Sequence, residues 1–345
     1  MATFTKVSKR IRAQIRLPNH PSESQTFNTL REAKAWAMRR ELELRTVAGR
    51  SQLKYSLGQA IDRYISDIAP KHKGGEFEIK RLRAVSKTLP LARPLAKFDD
   101  VFWENWRDQR LKTTKRNDPT KTLSTGTVRR EMCDLALVFK YAVKLKWITD
   151  NPFKNVERPP HGKARKIIIT PEQIEAMFQS LNYTRGVRPS TSKQTVGAMF
   201  DLALETGLRS SEIVNLDWPR VFFDKDYIHL DDTKNGDSRD VPMSPTTKII
   251  LKSMIGFSPD KVFDINHNNR DTIFRKARKS ANLSGFTFHD ARHTAATNIA
   301  AQMRHSDMPP IQAVFEFCGM FGWRDIDEAL TYFKPKASEV AKWLS

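Results

Sequence analysis

Residues 286–297 read FTFHDARHTAAT and carry the clearest information about the fold. Phe286 and Phe288 alternate just before a helical run, so we expect both to anchor the segment in a hydrophobic core. His289 and Arg292 are three residues apart and therefore point the same way from the predicted helix. The segment thus places a proton-exchanging group and a permanent cation at the wall of a cleft. Taken alone, the pair also fits a surface contact or a structural histidine.

Working outward, the preceding residues predict two helices. Thr170 is a strong N-cap, and the proline and glutamine after it predict a helix over residues 171–181. A second helix, with an apolar period over residues 196–205, should end at Gly207.

A short helix and a β-hairpin are expected next. Ser210 or Ser211 is expected to cap the helix. Residues 227–230 and 239–242 read as strands that flank Lys234-Asn235-Gly236, and Asn-Gly is the strongest short hairpin signal. Lys234 should therefore lie on a hairpin that projects from a mainly helical domain, with a solvated lysine as the alternative.

Positive charge is concentrated in the first part of the chain. The protein has 345 residues and a net charge of +20. Residues 1–50 carry an excess of 7 positive charges, residues 51–160 an excess of 10, and residues 161–345 an excess of 3. Such a surplus can neutralise phosphates and is unusual for a metabolic enzyme. We therefore expect a polyanion as partner, with binding in the first 160 residues and chemistry in the remainder.

The first 50 residues predict a small sheet followed by a helix. Residues 12–17 alternate like a strand, residues 24–27 can pair back across a turn at 19–22, and helical spacing follows over 30–44. We interpret residues 1–50 as a DNA-binding appendage; a solvated basic face on a minor domain is the alternative. The candidate DNA contacts are Arg10, Arg12 and Arg16.

Residues 51–160 predict a helical domain. Apolar repeats cover residues 57–68, 101–111 and 128–147, and the asparagine and proline at 151–152 should end the last helix.

Two basic features of this domain are candidate DNA contacts. Polar caps precede Arg129 and Arg130, which suit either a phosphate or a solvated helix face. An exposed linker over residues 158–166 marks a domain boundary before residues 161–345. It adds the candidates Lys163, Arg165 and Lys166.

Several classes of protein are excluded by what the sequence lacks. No run approaches the length of a membrane-spanning helix, and the N-terminus lacks the apolar stretch of a secretory signal. Cys133 and Cys318 are too few and too far apart for a disulfide framework, and no Cys or His spacing is typical of a zinc site. We therefore expect a cytoplasmic protein whose chemistry uses no metal and no cofactor.

Four segments occur in an order and spacing that resembles the tyrosine recombinase, or phage integrase, family. They are residues 205–213 (ETGLRSSEI), the hairpin with Lys234, residues 289–297, and Phe321-Gly322-Trp323 followed by Tyr332. The resemblance covers about residues 165–345. It implies a mainly α fold with small β-sheets. The domains are an arm-type sheet-plus-helix domain (1–50), a core-type DNA-binding helical domain (51–160) and a mixed α+β catalytic domain (161–345).

The resemblance implies a role for each residue of the catalytic set. Arg209 and Arg292 are the paired arginines on the scissile phosphate, and Tyr332 is the nucleophile. Lys234 is the hairpin lysine. Glu212 is similar to the acid that supports the first arginine.

Two further positions complete the set. His289 occupies the family's first histidine position. Trp323, nine residues before Tyr332, occupies a position usually held by histidine and in some members by tryptophan. A second glycine nearby allows an alternative alignment with Met320 at that position.

Physical chemistry gives these residue types a reason to be there. Two guanidiniums can hold the negative charge that builds on an attacked phosphodiester without a metal. A phenol with a pKa of about 10 is a poor nucleophile, so cations and a base such as His289 must help it lose its proton. A lysine can protonate the leaving 5′ oxygen, whereas an arginine never releases its proton. Since tryptophan exchanges no proton, a histidine-dependent step must use His289 or His293.

The implied function is site-specific DNA recombination through a 3′-phosphotyrosyl intermediate, which integrates, excises or inverts a mobile element in the bacterial cytoplasm. The implied partners are double-stranded DNA with recombination sites, three further copies in a homo-tetramer, and an accessory DNA-bending protein. The alternatives are a type IB topoisomerase-like nicking and resealing enzyme and an inactive DNA-binding regulator. Residues 337–344 predict an amphipathic helix that packs on a neighbouring protomer or on its own domain.

Overall fold

The chain forms two compact units, residues 1–163 and 164–345, each with hydrophobic cores of its own. The computed structural model describes residues 2–7, 10–16, 22–52, 54–115, 118–162, 167–231 and 238–334. Among these residues, no helix has the length and apolar character needed to cross a membrane. The finer division at residues 50 and 160 stays a prediction, and the expected helix over 337–344 lies outside the described residues.

The N-terminal residues form a three-stranded antiparallel sheet against a helix. The strands β1 (Ala2–Val7), β2 (Arg10–Ile15) and β3 (Glu23–Phe27) are neighbours in that order, and α1 (Leu30–Gln52) follows. Ile11 of β2 lies opposite Phe27 of β3, which confirms the predicted pairing. The sequence did not predict β1, because five of its six residues are exposed and its pattern shows no buried face.

The rest of the first unit is mainly helical. Its elements are α2 (Leu57–Asp67), α3 (Gly75–Ser86), α4 (Asp100–Lys112), β4 (Thr114–Lys115), β5 (Asp118–Thr122) and α5 (Thr125–Lys144). Trp103 and Phe139 contact each other in its core. The sequence did not predict α3, because its buried face includes the carboxylate of Glu78, which accepts a hydrogen bond from Tyr64 at 2.6 Å. A polar group at a core position interrupts the apolar period.

The prediction that the last of these helices ends at residues 151–152 is wrong. Helix α5 ends at Lys144, and Lys146 has a left-handed φ of 59°. The backbone N–H of Trp147 donates back into the last turn at 2.9 Å, and its indole stacks on Tyr55 at 4.0 Å between ring centroids. A left-handed residue and a stacked aromatic ring therefore end the helix before the proline is reached.

The second unit combines helices with one small sheet. Its elements are α6 (Pro171–Leu181), α7 (Ser192–Thr206), α8 (Ser210–Val214), β6 (Val221–Phe222), β7 (Tyr227–Leu230), β8 (Arg239–Pro242), α9 (Pro245–Ser253), α10 (His267–Ser280), α11 (Asp290–Arg304), α12 (Pro310–Phe321) and α13 (Ile326–Phe333). The strands are antiparallel in the order β6, β7, β8, with Ile228 opposite Val241. The predicted helix over 171–181 and both hairpin strands are confirmed. The predicted turn with Lys234 lies outside the described residues.

An aromatic cluster forms the main core of the second unit. Phe200 of α7 lies 5.1 Å from Phe274 of α10 and 6.1 Å from Phe288, between ring centroids. Phe286 and Phe288 are buried, as predicted, so the start of α11 is anchored. A smaller cluster around Phe321 packs α11, α12 and α13 together.

The helix α7 ends where the chain passes close to α12. Gly207 has a left-handed φ of 65° and follows the last residue of α7, as predicted. A Cβ at this position would lie 2.4 Å from the ring of Phe321. Glycine is therefore required here both for the backbone angle and for the space.

The prediction that Ser210 or Ser211 caps α8 is wrong. Ser210 is the first residue of the helix, and Arg209 occupies the N-cap position. The carboxylate of Glu212 accepts the Arg209 backbone N–H at 2.6 Å. Glu212, the third residue of the helix, thus accepts the backbone N–H of the N-cap residue, and no serine cap is needed.

We expect Gly207→Ala to lower the free energy of unfolding by more than about 2 kcal/mol, because it adds backbone strain and a steric clash. Urea denaturation of the full chain measures the loss. Gly285→Ala is the matched control, since Gly285 also has a positive φ, 89°, but an added Cβ meets nothing within 4 Å. A loss no larger than that of the control would contradict the predicted clash.

Candidate active site

Arg292 is the buried centre of the site. The residue lies in the first turn of α11 and is 6% exposed. Its guanidinium donates one hydrogen bond to the carbonyl of Gly207 and one to the carbonyl of Phe321, each at 2.6 Å. It also lies 5.6 Å from the centroid of the Trp323 ring. Arg292 therefore joins the ends of α7 and α12 to the start of α11.

A shared carboxylate balances the second arginine. The guanidinium of Arg209 donates to Glu212 at 2.9 Å and to the carbonyl of Gly322 at 3.3 Å. Glu212 also accepts two hydrogen bonds from Arg239, at 2.7 and 2.9 Å. Burial would raise the pKa of Glu212, but the hydrogen bonds and charge of Arg239, together with Arg209, outweigh it and lower that pKa. The carboxylate is therefore ionised between its two cations.

The sequence analysis missed Arg239. The residue lies on β8 with its side chain 7% exposed, and its Nε donates to the carbonyl of Met320 at 3.0 Å. A Cβ on Gly322, which has a φ of 62°, would lie 3.1 Å from this guanidinium. The signal in the sequence is an arginine inside a predicted strand, and nothing local indicates that it faces Glu212.

Tyr332 lies on α13 between an imidazole and an indole. Its hydroxyl is hydrogen-bonded to Nδ1 of His293 at 2.6 Å. Its ring stacks on Trp323, with centroids 5.4 Å apart and planes inclined by 11°. The left-handed Gly322 ends α12, and α13 begins at Ile326. A turn and a short helix therefore present the phenol.

The two candidates for the family's histidine position lie in different surroundings. Trp323 lies beside Tyr332, whereas the side chain of Met320 lines a separate cavity of about 390 Å³ with Met303 and Met308. The structure thus places Trp323, not Met320, at the site.

Most of the candidate catalytic side chains line a cavity of about 790 Å³. Its lining includes Arg209, His267, His289, Arg292, His293, Trp323 and Glu328. His267, the first residue of α10, is a further member that the sequence analysis missed, because a histidine at a helix start has no distinguishing pattern. The cavity combines cations and imidazoles, which are the groups that bind a phosphate and move protons.

The surroundings shift the acid–base properties of three of these groups. Burial, followed by the charge of Arg209, lowers the pKa of Arg292 to about 9, which leaves it charged at neutral pH. Loss of hydration lowers the pKa of His289, and His293 and Arg292 add to the effect, so His289 is neutral at pH 7. Burial raises the pKa of Tyr332 against the opposing charge of Arg292, so the phenol keeps its proton.

The predicted DNA contacts that the structure describes belong to the first unit. Arg10 and Arg12 are exposed on β2, and Arg16 is exposed directly after its last residue. Arg130 is exposed on α5, whereas Arg129 is half-buried and donates to the carbonyl of Pro159 at 2.8 Å. Part of the Arg129 guanidinium is therefore used within the unit. Lys163, Arg165, Lys166 and Lys234 lie outside the described residues.

Comparison with known proteins identifies the family. The model of the phage integrase family matches residues 168–339. A putative integrase/recombinase of Haemophilus influenzae is 31% identical over 299 residues, which are 85% of this chain and 79% of that protein. The chain belongs to the phage integrase family. It is accordingly an enzyme of the tyrosine-type site-specific DNA recombinase class.

A second relative agrees with this assignment, and a solved structure shares the fold. A shufflon-specific DNA recombinase of Escherichia coli is 31% identical over 249 residues, 70% of this chain and 61% of that protein. The crystal structure of a lambda integrase dimer bound to a core site has a TM-score of 0.65 at 16% identity, over 96% of this chain and 94% of that chain. The predicted fold class, mainly α with small β-sheets, is thereby confirmed. Among the described residues of this integrase, no cluster of His, Cys, Asp and Glu could hold a metal ion.

We expect Arg239→Met to lower the free energy of unfolding by about 3 kcal/mol, because it removes one partner of a buried ion pair and leaves Glu212 with a single arginine. Urea denaturation measures the loss. Arg220→Met is the control: its side chain is 37% exposed beside Asp217 and Asp231, and such surface pairs contribute about 0–1 kcal/mol. Equal losses for the two variants would show that Arg239 does not hold the site together.

Proposed function

We propose that Tyr332 attacks the scissile phosphate of a specific DNA site and becomes joined to the 3′ end of the cut strand. The observation that carries this proposal is the position of the phenol. Its hydroxyl is hydrogen-bonded to an imidazole, and its ring lies against Trp323, which lines the same cavity as Arg209 and Arg292. His293, the imidazole that is bonded to the phenol, lines this cavity as well. The nucleophile is therefore held by two residues of a cavity that also contains two cations.

Arg209 and Arg292 bind the nonbridging oxygens of that phosphate. A guanidinium has five N–H donors, and the carbonyls of Gly207 and Phe321 accept from two of those of Arg292. These two hydrogen bonds fix the guanidinium, and the other N–H groups of Arg292 are the proposed donors to the phosphate. Negative charge accumulates on the oxygens as the fifth bond to phosphorus forms, so the two cations stabilise the transition state more than the ground state.

The strand breaks as the phenolic oxygen bonds to phosphorus. The bond from phosphorus to the 5′ oxygen is lost, and that oxygen takes up a proton, for which Lys234 is the proposed donor because an ammonium releases a proton far more readily than a guanidinium. In the rejoining step, the 5′ hydroxyl of a partner strand attacks the phosphotyrosine and gives its proton to Lys234, and Tyr332 leaves with a proton. Since the phosphotyrosine conserves the bond energy, ATP is not required. The two guanidiniums stabilise the charge that a metal would otherwise stabilise.

We assign the first 160 residues to DNA binding. The support is their charge excess and the exposed arginines on β2 and α5. In this proposal residues 1–50 bind arm-type sites and residues 51–160 bind the core site. Four copies on two sites, aided by a DNA-bending protein, exchange strands through a four-way junction to move or invert a mobile element in the bacterial cytoplasm.

The wild-type integrase should form a covalent adduct with nicked suicide duplexes in the presence of EDTA, and Tyr332→Phe should bind the same DNA without forming one. The substrate is a library of duplexes with a randomised centre, from which denaturation-resistant adducts are recovered and sequenced. The phenylalanine keeps the ring beside Trp323 and removes the attacking oxygen.

Tyr227→Phe, on β7, is the matched control and should form the adduct at the wild-type level. An adduct from Tyr332→Phe would refute the nucleophile, and an adduct that forms only when a divalent metal is added would refute the metal-free chemistry.

Deleting residues 1–50 should leave core-site cleavage measurable and reduce recombination between two plasmids that carry the selected site. Replacing Arg10, Arg12 and Arg16 together by glutamine should also reduce recombination. The substitutions remove positive charge from the exposed face of this region and leave the buried face of β2 intact. Equal recombination by the truncated and the full-length proteins would contradict the assignment of this region to arm-type DNA.

A further inference from the structure

We propose that His293, and not His289, is the general base that removes the proton of Tyr332. This inference rests on the proposed role of Tyr332 as the nucleophile. Both histidines are candidates for this base from the sequence, because they lie in the same predicted helical segment and either could face the cleft.

The hydrogen bonds of the phenol separate the two histidines. The Tyr332 hydroxyl and Nδ1 of His293 are 2.6 Å apart, which is a short and direct path for a proton. No hydrogen bond joins Tyr332 to His289 in the part of the chain that the structure describes. The His289 ring meets the His293 ring edge-on, with centroids 5.4 Å apart, and lies at the N-cap of α11 on the cavity wall.

Both partners of this hydrogen bond are held in place. His293 follows Arg292, whose guanidinium is fixed by two carbonyls, and the backbone carbonyl of His293 accepts from the hydroxyl of Thr297 at 3.0 Å. On the other side, the Tyr332 ring lies nearly parallel to both Trp323 and His293, at 11° and 17°. The donor and acceptor atoms are therefore aligned before DNA binds.

The phenol needs such a base. Its burial raises the pKa of Tyr332 above the ordinary value, so little phenolate is present at neutral pH. An imidazole has an ordinary pKa of about 6.5 and is well matched to accept a proton near neutrality. The charged or titratable groups around the pair, among the described residues, are Arg209, His267, His289, Arg292, Arg304, Arg324, Asp325 and Glu328.

The proton balance is simple in both directions. His293 acts in its neutral form, with a proton on Nε2 and a lone pair on Nδ1. As the phenolic oxygen bonds to phosphorus, its proton moves to Nδ1 and the bond to the 5′ oxygen breaks, with the proton for that oxygen supplied by Lys234. When the strands rejoin, His293 returns its proton to the leaving phenolate of Tyr332, and Lys234 takes back the proton of the attacking 5′ hydroxyl.

The test compares His293→Asn with His293→Ala. Asparagine places a hydrogen-bonding atom close to the position of Nδ1 but cannot take up the proton, so it separates orientation of the phenol from catalysis. We expect both variants to form the adduct at least about 100-fold more slowly than wild type at pH 7, the usual size of a lost general base. Near-ultraviolet circular dichroism verifies that the aromatic cluster of each variant is intact. His305→Asn, an exposed histidine at the end of the same helix, should form the adduct at the wild-type rate.

The pH profile gives the second readout. The wild-type rate should level off above the pH at which a histidine base becomes neutral. The rate of His293→Asn should instead continue to rise about tenfold per pH unit, because the phenolate must then form without help. His289→Asn should retain the plateau, whatever its rate.

A substrate with sulfur in place of the bridging 5′ oxygen distinguishes the two proton steps. A thiolate leaves without a proton donor, so this substrate compensates for a lost general acid but not for a lost general base. We expect His293→Asn to stay slow on it. Cleavage by His293→Asn at the wild-type rate, or rescue by the sulfur substrate, would overturn the inference. No adduct with wild type, or an adduct with Tyr332→Phe, would instead refute the proposed function itself.

Discussion

The catalytic unit depends on a buried cation that binds the carboxyl ends of two helices. Arg292 donates to the carbonyl of Gly207, just after α7, and to that of Phe321, the last residue of α12. Such carbonyls lack partners within their own helices and carry the negative end of the helix dipole. They offset the cost of burying the guanidinium, and the cation in turn fixes where the helices end. The active-site geometry and the packing of three helices are therefore one constraint.

The second constraint is an unequal balance of charge. The carboxylate of Glu212 lies between Arg209 and Arg239, while Arg292 is neutralised by dipoles and not by a carboxylate. Arg324, Asp325 and Glu328 also line the cavity. With these residues included, four arginines stand against three carboxylates, so one positive charge remains in excess. This arrangement is unfavourable for an empty site and favourable once a phosphate enters, which is the usual conflict between stability and function at an active site.

The sequence predicted the features that local chemistry determines. The capping box at Thr170 predicted the helix over 171–181, because its hydrogen bonds act within a few residues. The two paired strands on either side of the Asn-Gly sequence were predicted as well. The end of α5 was predicted wrongly, since it is set by the stacking of Trp147 on Tyr55 far away in the chain. The role of Arg239 was not predicted for the same reason, since its partner Glu212 is 27 residues away in the chain.

The resemblance to the family implies a catalytic set, but it does not give the hydrogen bonds between the members of that set. Tyr332 follows Trp323 by nine residues. In the structure, the left-handed Gly322 ends α12 just before Trp323, and the short helix α13 carries the chain on to Tyr332. Nothing in the sequence tells which imidazole meets the phenol. That distinction depends on how α13 packs on α11, a contact between residues 39 positions apart.

The most direct test of the central claim is to find the atom that carries the DNA. The adduct formed by the wild-type protein is trimmed with nucleases, digested with trypsin and sequenced by mass spectrometry. If Tyr332 is the nucleophile, we expect a residual nucleotide on its phenol, in the peptide of residues 325–336. A nucleotide on any of the other five tyrosines, or on a serine, would contradict it.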